Sequence, residues 1–223
     1  MATNVGAVVL CGGESRRMGR PKAGLPFGPE TLLARVVRLV STVARPVVVV
    51  AAADQEVRDL PDSVRVVRDS RSGRGPLQGL ADGLSALPPG VEFAYATAAD
   101  APFLEPAWVE LLVDRIGDHD LALPNCDGRR HPLAALYRVA PALAAIRGLL
   151  DQDQLRVGRL AESLRTRTID ADELRGVDPE LRTLRNLNSP DDYVRALEDA
   201  GFTGCDGAQN GSQRESRPIP ENR

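Results

Sequence analysis

Short apolar runs recur along this chain at the spacing of strands that alternate with helices. Val5–Leu10 is the first, and 47–52, 64–67 and 93–98 follow. Runs of this kind predict strands of a parallel sheet that is buried on both faces. Between them the period changes. Thr31 is placed to cap a helix whose apolar side is Leu32, Leu33, Val36, Val37, Leu39 and Val40, and Pro46 ends it. Residues 77–87 and 105–116 read as further helices, the first stopped by Pro88-Pro89-Gly90. Then 120–123 reads as a strand, 131–138 as an antiparallel strand at a sheet edge, 141–150 and 157–164 as helices, and 167–169 as a short strand. A last helix covers 191–200, with Ser189 as cap and Pro190 in its first turn. The alternation predicts an α/β fold with a mainly parallel sheet, in one domain over 1–200. From Gly201 onward apolar residues almost vanish, so 201–223 is expected to be a disordered tail that catalysis does not need.

The first apolar run breaks at Gly12-Gly13, and Arg16, Arg17, Arg20 and Lys22 follow. A strand that ends in a glycine turn lets backbone N–H groups approach phosphate oxygens closely, and basic side chains can neutralise them. A Gly-Gly pair alone also fits a plain tight turn. Neither GxxxxGK[ST] nor GxGxxG occurs, so a nucleotide would be held differently from a P-loop or a dinucleotide fold.

Composition narrows the partners. With 223 residues, 43% hydrophobic, the chain can bury one good-sized core. A net charge of −3 gives no nucleic-acid footprint. The positive charge is local, between Arg16 and Lys22, which suits a small anionic ligand. No run is long enough to span a bilayer, and no signal peptide is read at the N-terminus. Cys11, Cys126 and Cys205 are too far apart for a disulfide framework or a zinc site, so a reduced, cytoplasmic protein is expected.

Ligands of open parallel sheets bind beyond the carboxyl ends of the strands. Cys11, Gly12 and Gly13 follow the first strand, Asp69 the third and Asp100 the fourth. Asp100 stands in an apolar setting, ATAADAPFL, where a carboxylate is costly unless paired or metal-bound. It reads either as a turn residue ahead of Pro102 or as a ligand of Mg²⁺ shared with phosphate oxygens. Asp69 can equally cap its own turn. Arg71 and Arg74 fit a solvated loop, His131 fits a structural histidine, and Lys22 closes the glycine loop or is simply exposed. Two histidines give no nucleophilic triad, which leaves phosphate chemistry by positioning and charge neutralisation.

Residues 10–22, LCGGESRRMGRPK, resemble the LAGGxSxRMGxDK signature loop of sugar-nucleotide and cofactor nucleotidyltransferases. Within that superfamily the chain is most similar to the molybdenum cofactor guanylyltransferases. The motifs are 10–22, Asp69 followed by Gly75-Pro76-Leu77, Asp100-Ala101-Pro102, His131-Pro132, and Asn186-Leu187-Asn188-Ser189-Pro190, in that order up to about residue 198. The resemblance implies a Rossmann-like three-layer sandwich of the nucleotide-diphospho-sugar transferase type. It implies transfer of GMP from GTP to the phosphate of molybdopterin carrying molybdenum, with release of pyrophosphate and with Mg²⁺ as cofactor. By likeness, Leu10, Cys11, Gly12 and Gly13 hold the guanine and ribose side, and Arg17 and Lys22 neutralise the triphosphate. Asp69 falls near the nucleoside and Asp100 binds Mg²⁺. Asn186 and Asn188 face the pterin half or support the metal, Arg156 resembles a family arginine near the pterin substrate, and His131 and Pro132 lie on the same wall. Transient contact with molybdoenzymes or cofactor-delivery proteins goes with such a role.

Three positions depart from the pattern. Cys11 stands for the usual Ala, Pro21 for an Asp, and Val50 where some members carry a nucleotide-contacting Asn. The rival readings are a CTP-dependent cytidylyltransferase, whose branch usually has Ala-Gly for Gly12-Gly13, and another cofactor or sugar-phosphate nucleotidyltransferase. A non-catalytic cofactor-binding adaptor is the rival from another class.

Overall fold

The computed structural model describes residues 4–12 and 22–202. Its elements are β1 (Val5–Leu10), the small hairpin β2 (Pro26–Phe27) and β3 (Glu30–Thr31), α1 (Leu32–Val40), β4 (Val47–Ala51), β5 (Arg65–Arg68), α2 (Gly75–Ala86) and β6 (Phe93–Ala98). Then come α3 (Pro106–Ile116), β7 (Leu121–Cys126), β8 (Arg129–Arg130), β9 (Ala135–Arg138), α4 (Val139–Asp151), α5 (Leu160–Ser163), β10 (Thr166–Asp170), α6 (Ala171–Arg175) and α7 (Pro190–Asp199).

All six residues of β1 are buried, as expected of a strand covered on both faces. It pairs in parallel with β4 and β6. The sheet runs β10-β7-β9-β6-β1-β4-β5, with β8 added antiparallel to β7. Only β8 and β9 run against the rest, so the carboxyl ends of six strands share one edge. Helices α1 and α3 pack on the face that carries Val5, Ala7 and Val9. Helices α2, α4 and α5 pack on the face that carries Val8 and Leu10. The result is the three-layer α/β sandwich. Close approach of α2 to β1 depends on glycine: a Cβ on Gly83 would run into Val8, and one on Gly79 would lie 3.2 Å from Leu10.

The antiparallel strand is not at an edge. β9 starts at Ala135, not at residue 131, and lies between β7 and β6. Ala135, Leu136 and Tyr137 are all buried, and only an interior strand buries successive residues on both faces. Residues 131–134 form a turn, closed by the Ala134 N–H donating to the His131 carbonyl. β7 is longer than expected because Asp127 and Gly128, both at positive φ, fold it back into β8 as an Asp-Gly hairpin. Residues 157–164 form a 3-10 turn and a four-residue helix rather than one helix.

Helix α7 begins with a complete capping box, in which the Ser189 hydroxyl and the Asp192 carboxylate satisfy each other's backbone N–H. The helix then ties the C-terminal side of the chain to the β2–β3 hairpin. Tyr193 donates its hydroxyl to the Pro26 carbonyl, and Phe27 meets the rings of Phe103 and Phe202 edge to face. Gly201 and Phe202, expected in the tail, therefore belong to the packed body; the rest of that tail, 203–223, lies outside the described residues. Truncation after Phe202 should leave the melting temperature within about one degree. Truncation after Ala200 removes the ring from Phe27 and should cost about 1–3 kcal/mol, a loss of several degrees. Equal melting temperatures for the two truncations would refute the anchoring role of Phe202.

Candidate active site at the carboxyl edge of the sheet

Two backbone bonds gather the strand ends. The Cys11 N–H donates to the Val50 carbonyl at 2.9 Å, and the Ala99 N–H donates to the Leu10 carbonyl at 2.9 Å. The chain thus leaves β1 wedged between the ends of β4 and β6. Gly12 sits where a Cβ would lie 3.2 Å from the Ala52 backbone nitrogen, so the first glycine of the pair answers a close backbone approach. Val50 is buried on the α2 face of the sheet and takes part in core packing.

Across this edge, Lys22 Nζ donates to Asp100 Oδ2 at 3.1 Å. Lys22 opens a 3-10 turn that is held down by buried Ala23, and Asp100 follows β6. Their side chains are 20% and 19% exposed, which is open enough for ligand and sheltered enough for the charges to count. The loop that carries Asp100 is gripped by its neighbours. Leu187 donates its N–H to the Asp100 carbonyl at 3.0 Å, and Arg35 donates Nε to the Pro102 carbonyl at 2.8 Å. The first of these bonds sets Asn186 and Asn188 beside Asp100. Asn188 donates its side-chain amide to the Asn186 carbonyl at 3.3 Å, and its N–H goes to Asp192 at 3.1 Å.

The other candidates stand on the same edge, with no hydrogen bond or ion pair to the Lys22–Asp100 couple. Asp69 Oδ1 accepts the Arg71 N–H at 3.0 Å, the turn cap that its sequence also allowed. Behind it, Asp82 accepts the Ser70 N–H and hydroxyl and the Gln78 amide, fixing the start of α2. Arg74 is not a solvated loop residue: it bonds the Leu150 carbonyl at 2.7 Å and Asp153 at 3.0 Å. His131 is half-buried in the turn before β9, its N–H given to the Pro124 carbonyl at 2.9 Å. Arg156 is exposed in the connection after α4, just ahead of a 3-10 turn. Gly13 and Arg17, with Arg16, Arg20 and Pro21, lie outside the described residues.

The sequence reading missed what secures the Asp100 loop from beyond. The guanidinium groups of Arg182 and Arg185 stack over Phe103 at 4.3 and 5.2 Å. Two arginines ahead of an Asn-Leu-Asn motif are the only sequence signal of it, and their aromatic partner is about eighty residues away along the chain.

Titration behaviour limits the chemistry. Burial pushes the Cys11 thiol up to about 12, against the opposing pull of Arg68, so it is no thiolate nucleophile at neutral pH. Burial, with the Arg129 charge adding to it, holds His131 below the ordinary imidazole value. The arrangement can therefore hold and neutralise an anion and place a carboxylate against it, without covalent catalysis. Asp100 itself offers hard carboxylate oxygens, one of them paired with Lys22. No cluster of three or more His, Cys, Asp or Glu side chains that could hold a metal ion occurs among the described residues. A single carboxylate with room for waters and phosphate oxygens would suit a hard divalent cation.

The chain is similar to known proteins in sequence and in fold. Residues 7–166 match the family described as the MobA-like NTP transferase domain. A protein of Mycobacterium avium (strain 104) named "Probable molybdenum cofactor guanylyltransferase" is 38% identical over 198 residues, covering 86% of this chain and 94% of that one. One of the same name in Mycobacterium tuberculosis H37Rv is 40% identical over 187 residues, 82% and 88% of the two chains. Among solved structures, molybdopterin-guanine dinucleotide biosynthesis protein A of Archaeoglobus fulgidus superposes with a TM-score of 0.72 at 24% identity, over 88% of this chain and 99% of that one.

Because the folded His131 binds its proton less readily than an unfolded chain does, its protonation opposes folding. The stability it confers is complete above pH about 6.5 and declines as pH falls through its folded value. An NMR titration should put the His131 midpoint below 6.5, and His131→Gln should flatten the fall in melting temperature between pH 7 and 5.5. A midpoint at or above 6.5 would contradict the burial of that ring.

Proposed function

The chain belongs to the MobA-like NTP transferase family, and from that premise we propose that it transfers GMP from GTP to the phosphate of molybdopterin, releasing pyrophosphate and forming the guanine dinucleotide cofactor. The observation that carries the reading is the Lys22–Asp100 pair, 3.1 Å apart at the carboxyl edge of the parallel sheet. A nucleotidyl transfer between two phosphates needs positive charge around the reacting phosphorus; Lys22 would supply it directly, and Asp100 through the divalent cation it would hold.

In this reading the acceptor phosphate oxygen attacks the α-phosphorus of GTP in line, and the bond from that phosphorus to the bridging oxygen of pyrophosphate breaks. Both reactants are anions, so much of the barrier is bringing them together. Lys22, with Arg17, neutralises the triphosphate, and Lys22 stays near its place because the Ala23 turn is anchored in the core. Asp100 holds the divalent cation, with Asn186 and Asn188 beside it. When bound, Mg²⁺ draws charge from the phosphate oxygens and from the departing pyrophosphate. Leu10, Cys11, Gly12 and Gly13 take the guanine and ribose side, where the backbone comes closest to β4. Asp69 stands on the nucleoside flank, and His131 and Arg156 on the pterin flank. No helix among the described residues is long and apolar enough to cross a membrane, which accords with work in the cytoplasm. A molybdoenzyme or a cofactor-delivery protein would receive the product.

Pyrophosphate release with Mg²⁺ and molybdopterin should occur with GTP and not with CTP. Release with CTP alone would keep the fold and the charge roles and reverse the choice of base; release with neither would overturn the reading. Asp100→Ala should lower kcat by about a hundredfold or more at unchanged fold. Turnover like that of the unaltered protein would remove Asp100 from the metal site.

A further inference from the structure

Asp178 is a carboxylate in the interior, 3% exposed, and no part of the reaction described above uses it. An unpaired charge there would be costly. It is held by two backbone donors, the N–H of Arg182 at 2.9 Å and that of Thr183 at 2.8 Å. These are the first N–H groups of the 3-10 turn Arg182–Leu184, so the carboxylate caps that turn. The residue before the turn, Leu181, sits at φ +52, a left-handed conformation unfavourable for a non-glycine residue. The two bonds to Asp178 hold the backbone in place there.

Everything downstream of this turn grips the Asp100 loop. The Thr183 hydroxyl oxygen accepts the Glu105 N–H at 3.1 Å, where α3 begins. Arg182 and Arg185 stack on Phe103. Leu187 bonds the Asp100 carbonyl, and Asn186 and Asn188 flank it. Residues 182–187 thus meet residues 100–105 at three places, and the first turn of that segment is set by Asp178.

We infer that Asp178 is a positioning residue that sets the Asp100 carboxylate and the Asn186 and Asn188 carboxamides against the divalent cation. The inference rests on the assignment of Asp100 to the metal. Asp178 touches no reacting atom. It holds the first turn of the 182–187 segment, from which Leu187 reaches the Asp100 carbonyl.

Asp178→Asn keeps the shape and removes the charge. The carboxamide oxygen can accept one of the two N–H groups, while its NH₂ faces the other. Mn²⁺ binding to the GTP complex, followed by electron paramagnetic resonance, should weaken about tenfold or more. The kcat for pyrophosphate release should fall by a similar factor with KM for GTP within about threefold, since the glycine-loop side is untouched. Arg182→Ala leaves the buried carboxylate bonded and frees only one stacked guanidinium. It should give a smaller shift of the same sign, and it carries the test if Asp178→Asn fails to fold. Unchanged Mn²⁺ affinity in the folded variants, with only a lower melting temperature, would overturn the inference and leave Asp178 a structural residue. Mn²⁺–GTP binding by the unaltered protein with no transfer to molybdopterin would sink the guanylyltransferase reading and leave this one standing. Absence of Mn²⁺ binding in the unaltered protein would sink this one.

Discussion

A partly sheltered carboxylate at the end of an interior strand is stabilised by positive charge beside it, and Asp100 finds Lys22. The two are 78 residues apart in sequence. What joins them is the sheet, because β1 and β6 are hydrogen-bonded neighbours with parallel direction and end at the same edge. Whatever chain follows β1 and whatever follows β6 is delivered to one place. The ion pair is therefore a consequence of strand order, and strand order follows from the need to bury apolar strands on both faces. Under the proposed function, a cation held by Asp100 would compete with Lys22 for the carboxylate and would leave the ammonium to face phosphate.

Much of this was legible in the sequence, for a definite reason. β1, β4 and β6 are apolar without break, α1 has a clear apolar stripe and α7 has Ser-Pro-Asp-Asp at its start, and each pattern has a single local solution. That Cys11, Asp69 and Asp100 follow strands at one edge was legible by the same logic, since strand ends are where a parallel sheet presents its loops. β9 was misplaced because apolar residues on both sides of a strand say that it is buried, not where in the sheet it lies. Four residues cannot announce which neighbours they will take. Arg74 was misjudged for a related reason: an arginine between glycines looks solvated until a helix end from elsewhere supplies the carbonyl it bonds.

What the sequence hid most completely was support. Asp178, Phe103 and Arg182 carry no motif, and their link is made in space. Support of this kind is needed because the Asp100 loop has no strand or helix of its own. Residues 99–104 lie between β6 and α3, and loop backbone keeps its shape only where outside groups satisfy its carbonyls. Arg35 does so from α1, and Leu187 from the segment ahead of α7.

The same economy appears beside this loop, where α7 and Phe202 clasp the β2–β3 hairpin. That hairpin follows directly on the Lys22 turn, and Phe27 reaches the ring of Phe103. Phe103 is thus touched from both directions, by the segment that follows Lys22 and by the segment that leads to Asn186 and Asn188. One buried ring connects the supports of both charged residues. A change that shifted Phe103 would move Lys22 and Asp100 relative to each other without touching either. The distance between the cation and the carboxylate is consequently a property of the aromatic cluster behind them as much as of the sheet beneath.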